Sequence, residues 1–163
     1  MVILALMSGS SLDGVDIGLI HIDEGPSYKI ITSETIPYTS FWLDKLQKIA
    51  KTSALEFFEL EALYSNYISE LIQVFIQSSN TSIDCISLHG HTVTHQVSQG
   101  FSVQLGNGGI IASRTGIRTL VDFRTGDMAK GGQGAPLMSI VDRDFFSGYC
   151  ASINLGGICN IAS

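Results

Sequence analysis

The distribution of polar and apolar residues over the first forty positions predicts three β-strands. Residues 2–7 are continuously apolar, which is typical of a strand covered on both faces. Residues 8–14 are rich in Ser and Gly, as expected of a turn. Residues 15–22 and 29–36 favour two further strands, so we expect the chain to open with a β-hairpin.

Two helices are predicted next. Ser40 is placed to cap the first, and Ser53 with Glu56 forms a capping box, S-x-x-E, at the start of the second. Apolar and aromatic residues then recur at helical spacing, at positions 64, 67, 68, 71, 72, 75 and 76. We interpret the aromatic residues on this face as core packing.

Beyond residue 84 the pattern alternates between strand and helix, which predicts an α/β domain. Gly116 is a natural helix stop, and Pro136 suits the first turn of a helix. The predicted elements are strands at 85–88, 101–105, 118–123 and 151–155 and helices at 109–115 and 136–146.

The end of the sequence resembles its beginning. The last predicted strand reaches a Gly-containing turn at 154–157 and resumes as a strand over 158–161, as the first strand does at Ser8 and Gly9. We therefore expect a first lobe over 1–148 and, over 149–163, the opening strand of a second lobe that lies mostly outside this sequence.

Composition narrows the class of protein. Hydrophobic residues make up 45% of the 163 residues and charged residues 15%, which suits a globular core. The net charge of −6 argues against a nucleic-acid partner. The three cysteines have no C-x-x-C spacing, so we expect reduced thiols and a cytoplasmic protein. No apolar stretch is long enough to span a membrane, so a membrane partner is not expected.

The first candidate for chemistry is the Ser- and Gly-rich turn at 8–16. Its glycines allow close approach of a ligand to the backbone, its hydroxyls can donate to phosphate oxygens, and Asp13 and Asp16 can hold magnesium. The turn matches neither the Walker pattern nor G-x-G-x-x-G. An ordinary surface hairpin is the alternative that spacing alone favours.

The second candidate is the histidine cluster His89, His91 and His95, at the end of a predicted buried strand. Three imidazoles this close invite a zinc site, although no carboxylate lies within the cluster to complete it. We expect hydrogen bonding to a polar substrate instead, with a solvated loop as the remaining alternative.

The third candidate is the segment 122–136, which follows a strand and opens a helix. Arg124 offers a planar fork of donors for a carboxylate or phosphate, and Asp122 and Asp127 can orient sugar hydroxyls or act as bases. The alternative is a structural Asp122–Arg124 pair followed by a flexible glycine loop.

Taken in order, these segments resemble the anhydro-N-acetylmuramic acid kinases. The resemblance lies in several blocks that cover nearly the whole chain: 7–16, His89-Gly90 with Thr92, 104–107, 115–117, 122–124 with Asp127, 131–137, and 154–158 with Asn160. It implies a ribonuclease H-like lobe of the actin/Hsp70/hexokinase fold, with a mixed sheet and flanking helices. It also implies a kinase that uses ATP and Mg²⁺, opens the 1,6-anhydro ring with water and phosphorylates the freed O6.

The same resemblance assigns roles to residues of this chain. It implies that the nucleotide is bound by Gly9, Ser10, Ser11, Leu12, Asp13, Gly14, Val15 and Asp16 and, from the second lobe, by Asn154, Gly156, Gly157 and Asn160. The sugar side of the cleft is expected to contain His89, Arg124, Asp127 and Gln133.

The chain departs from the family pattern at a few positions. Ser10 stands where the family usually has Thr, His91 where it usually has Gln, and Ser139 where it usually has Pro. The family's general base, an aspartate, is expected beyond Ser163, so we expect the isolated chain to have no useful turnover. The family also suggests a homodimer.

Two other classes of function remain open. One is a non-catalytic sugar- or nucleotide-sensing module of the same fold. The other is a metal-dependent hydrolase built on the three histidines.

Overall fold

The computed structural model describes residues 1–9, 11–25, 27–79, 81–155 and 159–162. The strands are β1 (Val2–Ser8), β2 (Gly14–Ile22), β3 (Tyr28–Pro37), β4 (Cys85–Gln96), β5 (Phe101–Leu105), β6 (Thr119–Leu120), β7 (Ser152–Asn154) and β8 (Asn160–Ala162). The α-helices are α1 (Ser40–Lys48), α2 (Ala54–Ser79), α3 (Gly108–Thr115), α4 (Thr125–Met128) and α5 (Met138–Phe145).

Six of the strands form one mixed sheet in the order β3-β2-β1-β4-β5, with β6 also paired to β4. The first three strands make an antiparallel meander, whereas β4 runs parallel to both β1 and β6. This arrangement confirms the predicted fold class, an α/β lobe with a mixed sheet and flanking helices. The remaining strands, β7 and β8, pair with each other in a separate antiparallel sheet.

The core lies between this sheet and one face of α2. Leu4 and Leu6 of β1 alternate with more exposed neighbours, as the pleat of a strand requires. On α2, Tyr64, Ile68 and Ile72 follow at intervals of four residues and are fully buried. The predicted apolar face of this helix is therefore confirmed.

The helix ends follow local side-chain chemistry. The capping box at the start of α2 is confirmed, because the Ser53 Oγ accepts from the Glu56 amide at 3.3 Å and the Glu56 carboxylate accepts from the Ser53 amide at 2.9 Å. At α1 the prediction was wrong by one residue. Thr39 is the capping residue, and Ser40 already lies within the helix.

The strand predicted at 85–88 is much longer, since β4 continues to Gln96. Its second half pairs with β5, from His91 opposite Leu105 to Gln96 opposite Phe101. Gly90, beyond the predicted end at residue 88, lies within the strand with φ of +76°. A Cβ there would overlap the carbonyl oxygen of Leu105, so glycine lets β5 approach.

Two further boundaries differ from the prediction. The strand expected over 118–123 is limited to Thr119–Leu120, because Asp122 adopts a left-handed φ of +59° and its carboxylate accepts from the Thr125 amide. The helix expected from Pro136 begins two residues later, at Met138. The helix predicted at 109–115 is confirmed, with Gly116 as its left-handed cap. Within the described ranges, no helix has the length and apolarity needed to cross a bilayer.

Candidate functional site

The turn between β1 and β2 is organised by Asp13. Its Oδ1 accepts from the Ser11 Oγ at 2.7 Å and from the Gly14 amide at 3.1 Å. The bond from Ser11 is the main reason why the pKa of the Asp13 carboxyl lies below its ordinary value. Leu12 adopts a left-handed φ of 60°, which turns the backbone sharply towards β2. The Asp13 hydrogen bonds and the left-handed Leu12 together fix the backbone path over residues 11–14.

The residues predicted to bind the nucleotide over 9–16 lie in different environments. Gly9, Ser11 and Asp13 lie in the turn, whereas Val15 is fully buried in the core and can offer a ligand only its backbone. Ser10 lies outside the described residues.

Asp16 connects this turn to a groove on the sheet. Its Oδ1 accepts from the Thr35 Oγ1 at 2.6 Å, so β3 fixes the orientation of a carboxylate that is exposed on β2. The groove has a volume of about 500 Å³, and its lining includes Asp16, Thr35, His89 and Phe123. The structure thus places a residue of the predicted nucleotide loop and a residue of the predicted sugar side on one groove.

A bulge in β4 sets the position of His89. Leu6 of β1 pairs with Leu88, but Ser8 pairs with His91, so β4 carries one more residue than β1 over this stretch. Such a bulge redirects side chains within a strand. Because β1 and β4 are parallel, it also places His89 beside the end of β1 from which the turn to β2 begins.

His89 and Arg124, both predicted on the sugar side, are in direct contact. The Nε and Nη2 atoms of Arg124 lie 3.2 and 2.8 Å from the His89 Nε2. A guanidinium can only donate and the Gly90 carbonyl, 2.8 Å from the His89 Nδ1, can only accept. His89 is therefore neutral, with its hydrogen on Nδ1. Burial, and then the charge of Arg124, lower the pKa of His89, which agrees with this assignment.

Asp127 and Gln133 occupy different positions relative to this pair. The Arg124 Nη1 donates to the Gly134 carbonyl at 2.6 Å, and the Gly134 amide donates to the Asp127 Oδ2 at 2.7 Å. Asp127 therefore shapes the glycine loop that Arg124 holds. Gln133 lies in the same loop and is exposed. The structural Asp122–Arg124 pair considered above does not form, since each residue has other partners.

His89 also lines a second cavity, of about 740 Å³. Its lining includes Gln104, Asn107, Arg118 and Asp122, which come from β5, the start of α3 and the segment around β6. His89 lines both cavities, and its contact with Arg124 orients it there.

The three histidines do not form a metal site. His91 is buried, His95 faces the Ser102 Oγ at 3.1 Å, and His89 is engaged by Arg124. Over the described ranges, no group of three or more His, Cys, Asp or Glu side chains is arranged to hold a metal ion. The hydrolase alternative therefore has no structural support in this part of the chain.

Sequence reasoning missed a set of buried hydroxyls beneath the turn. The Tyr64 hydroxyl donates to the Ser8 Oγ at 3.0 Å and lies 2.7 Å from the Tyr38 hydroxyl. Both tyrosines had been interpreted as part of the apolar core or left unassigned. The available signal was the choice of Tyr over Phe, because a buried phenol needs a polar partner.

Two of the predicted second-lobe residues, Asn154 and Asn160, lie on the β7–β8 pair. The backbones of Asn154 and Asn160 are opposite each other in this pair. Gly156 and Gly157, which were predicted to contact the nucleotide, lie outside the described residues.

Comparison with known proteins gives a consistent result. A family model described as Anhydro-N-acetylmuramic acid kinase matches residues 1–163. Proteins of that name are similar to this chain: one from Synechococcus elongatus is 37% identical over 99% of the chain and 46% of its own length. The corresponding values are 36%, 97% and 45% for the protein from Hydrogenovibrio crunogenus, and 35%, 98% and 44% for that from Haemophilus influenzae. The chain thus spans about half the length of the curated relatives it matches and corresponds to their amino-terminal part.

Proposed function

Because the chain belongs to the anhydro-N-acetylmuramic acid kinase family, we propose that the full-length protein phosphorylates anhydro-N-acetylmuramic acid with ATP. In this reaction water opens the 1,6-anhydro ring, and the γ-phosphoryl group of ATP passes to the freed O6. The products are N-acetylmuramic acid 6-phosphate and ADP. The observation that carries the proposal is the groove that is lined by both Asp16, next to the turn, and His89, which Arg124 contacts.

The turn supplies the features that a triphosphate site needs. Backbone amides between Gly9 and Gly14 can donate to phosphate oxygens. The Ser11 hydroxyl and the Gly14 amide instead donate to the Asp13 carboxylate, and these bonds fix the path of residues 11–14 before a ligand arrives. Phosphoryl transfer depends mainly on positioning and charge neutralisation, so a preformed turn is an effective contribution.

The carboxylates near the turn fit a magnesium ion, whose preferred ligands are oxygens. Asp16 is the better placed of the two, because Thr35 already orients its carboxylate on the groove. The Asp13 carboxylate instead holds the turn. We propose that Asp16 holds Mg²⁺ together with the phosphates. When bound, this ion neutralises charge that develops on the transferred phosphoryl group.

On the sugar side, His89 and Arg124 act by position and not by proton transfer. Both ring nitrogens of His89 already have partners, so the ring is not free to act as a general base. Arg124 keeps a positive charge next to the groove and ties His89 to the glycine loop through Gly134. We propose that this network orients the sugar, with Asp127 and Gln133 shaping the loop beside it.

The rest of the active site is proposed to come from a second lobe. The β7–β8 pair is separate from the main sheet, which fits the proposal that 149–163 begins that lobe and brings Asn154, Gly156, Gly157 and Asn160 to the nucleotide. The general base is proposed to follow Ser163. Since the reaction consumes ATP, we place it in the cytoplasm. The proposed assembly is a homodimer.

The direct test is an assay of the full-length protein with ATP and anhydro-N-acetylmuramic acid in water enriched in heavy oxygen. The proposal predicts a phosphorylated sugar that carries one oxygen from water. Phosphorylated sugar without that oxygen, or none at all, would contradict it. Binding of both ligands without product would favour the sensing module.

A matched pair of arginine variants tests the role of the site. Arg124→Met removes the charge and the contacts to His89 and Gly134, and we expect kcat/KM for the sugar to fall by about a hundredfold or more, as for a lost positioning group. Arg114→Met removes an exposed arginine that lies 3.7 Å from Glu70, and we expect a change within about twofold. Equal effects of the two substitutions would argue against the proposed site.

A further inference from the structure

A chain of buried hydroxyl groups lies under the turn that was assigned to the phosphates. Ser8 is the last residue of β1 and is 1% exposed. Its Oγ accepts from the Tyr64 hydroxyl at 3.0 Å, and the Tyr64 oxygen lies 2.7 Å from that of Tyr38. A phenol has one hydrogen, so Tyr64, which donates to Ser8, must accept from Tyr38. The hydrogen bonds between these hydroxyls therefore run from Tyr38 through Tyr64 to Ser8.

Tyr38 touches the turn a second time. Its backbone amide lies 3.4 Å from the Asp13 carbonyl, at the opposite end of the turn from Ser8. Tyr38 is thus connected to both ends of the turn. Its phenol reaches Ser8 through Tyr64, and its backbone amide reaches Asp13. The carboxylates of Asp13 and Asp16 also contribute to the raised pKa of Tyr38, after burial, which agrees with this proximity.

The phenols have fixed positions because aromatic rings surround them. The ring of Trp42 meets that of Tyr64 edge to face, with 5.3 Å between centroids, and lies 4.9 Å from the ring of Tyr67. Burial is also the main reason why the pKa of Tyr64 lies well above its ordinary value, so this group is neutral at any physiological pH. These neutral hydroxyls can therefore fix the positions of the groups that they contact.

We propose that Tyr38 and Tyr64 are positioning residues for the nucleotide: through Ser8 and Asp13 they hold the turn in its ATP-binding shape. This inference rests on the proposed function for the identity of the ligand. Its physical basis is preorganisation, since a turn that is already ordered loses less conformational entropy when phosphates bind. Neither tyrosine needs to touch the nucleotide.

The test compares phenol deletions within one aromatic cluster of the full-length protein. Tyr64→Phe removes the hydroxyl that joins Ser8 to Tyr38 and keeps the ring. Tyr67→Phe is the matched control, because its ring belongs to the same cluster on the same helix. Calorimetry with the Mg²⁺ complex of a non-hydrolysable ATP analogue gives Kd, and kinetics give KM for ATP and for the sugar.

We expect Tyr64→Phe to raise Kd and KM for ATP by about three- to tenfold, the loss of one net hydrogen bond, while KM for the sugar stays within about twofold. Tyr67→Phe should leave all three within about twofold. Tyr38→Phe combined with Tyr64→Phe should weaken binding little more than Tyr64→Phe alone, because both hydroxyls act through one chain.

Two outcomes would overturn the inference. One is nucleotide affinity in Tyr64→Phe that equals that of the unsubstituted protein. The other is an equal loss in Tyr67→Phe, which would indicate a general packing effect. The two failures are distinguishable. If the unsubstituted protein binds no nucleotide, the proposed function fails, whereas if it binds nucleotide and Tyr64→Phe binds it equally well, only the inference fails.

A measurement without ligand gives a second, independent test. Amide hydrogen exchange over 9–14 should become faster in Tyr64→Phe and not in Tyr67→Phe, because only the first substitution releases the turn. Equal exchange in the two variants would contradict the inference even if affinities differ.

Discussion

At the scale of single residues, burial and neighbouring groups determine the protonation of two histidines, His89 and His91. His89 is held neutral by a donor arginine on one nitrogen and a backbone carbonyl on the other. His91, one residue beyond the glycine of the bulge, is 5% exposed, and within the described part of the chain its Nδ1 has no hydrogen-bond partner. Burial, followed by the neighbouring His89, lowers the pKa of His91.

This environment predicts a pH dependence of stability. In the folded protein the pKa of His91 lies below 6.5, its ordinary value, which the unfolded chain retains. Between the two values the unfolded chain binds more protons, so the free energy of unfolding falls as the pH is lowered through that window. The effect fades as the pH rises above 6.5, because the imidazole then becomes neutral in both states.

The variant His91→Gln should therefore make stability less dependent on pH below about 6.5. Thermal unfolding of the full-length protein at a series of pH values measures this. His21→Gln is the control, because that side chain is 42% exposed beside Asp23. An unchanged slope in His91→Gln, or an equal change in the control, would be inconsistent with burial as the cause.

Sequence reasoning identified individual residues of the site but not the contacts between them. Arg124 and His89 were identified separately, and the structure brings them together. Their contact could not be predicted, because it depends on a bulge that adds one residue to β4. Tyr64 was missed as a polar contact for a similar reason: helical spacing places its ring in the core but does not show which strand its hydroxyl faces.

At the scale of elements, glycine sets how closely the strands approach near the turn. A Cβ on Gly14 would overlap the carbonyl oxygen of Ile36, so β2 and the end of β3 are in close contact there. A Cβ added at Gly18, on the same strand, would lie 3.6 Å from the Ser33 Cβ, which is an ordinary contact.

These two glycines give a matched prediction. Gly14→Ala should lower the free energy of unfolding by about 1–3 kcal/mol, as overpacking does, and should also weaken nucleotide binding because it shifts the end of the turn. Gly18→Ala should change stability by about 0.5 kcal/mol or less. Urea unfolding of both variants measures the difference, and similar values for the two would be evidence against close strand approach at Gly14.

Most of the elements were predictable because they depend on local patterns. The hairpin over β1 and β2, the long amphipathic α2 and its capping box were read correctly from alternation, helical spacing and S-x-x-E. The errors were at positions decided by tertiary pairing. β4 extends past Gly90 because β5 lies beside it, and β6 ends early because Asp122 turns the chain.

At the scale of the whole molecule, the chain has an acidic composition, with a net charge of −6, and yet is proposed to bind a polyanion. The two are compatible because the proposed phosphate contacts come from backbone amides and from a bound cation. The mixed sheet makes this arrangement possible, since parallel pairing of β1 with β4 brings the turn and His89 to one end of the sheet.

The central claim is that the turn between β1 and β2 holds the nucleotide phosphates beside the His89–Arg124 pair. A crystal structure of the full-length protein with Mg²⁺, a non-hydrolysable ATP analogue and the anhydro-sugar tests it most directly. We expect the triphosphate within hydrogen-bonding distance of backbone amides between Gly9 and Gly14, with the sugar on the groove that contains Asp16 and His89. A triphosphate bound elsewhere, with the turn free of ligand, would contradict the claim.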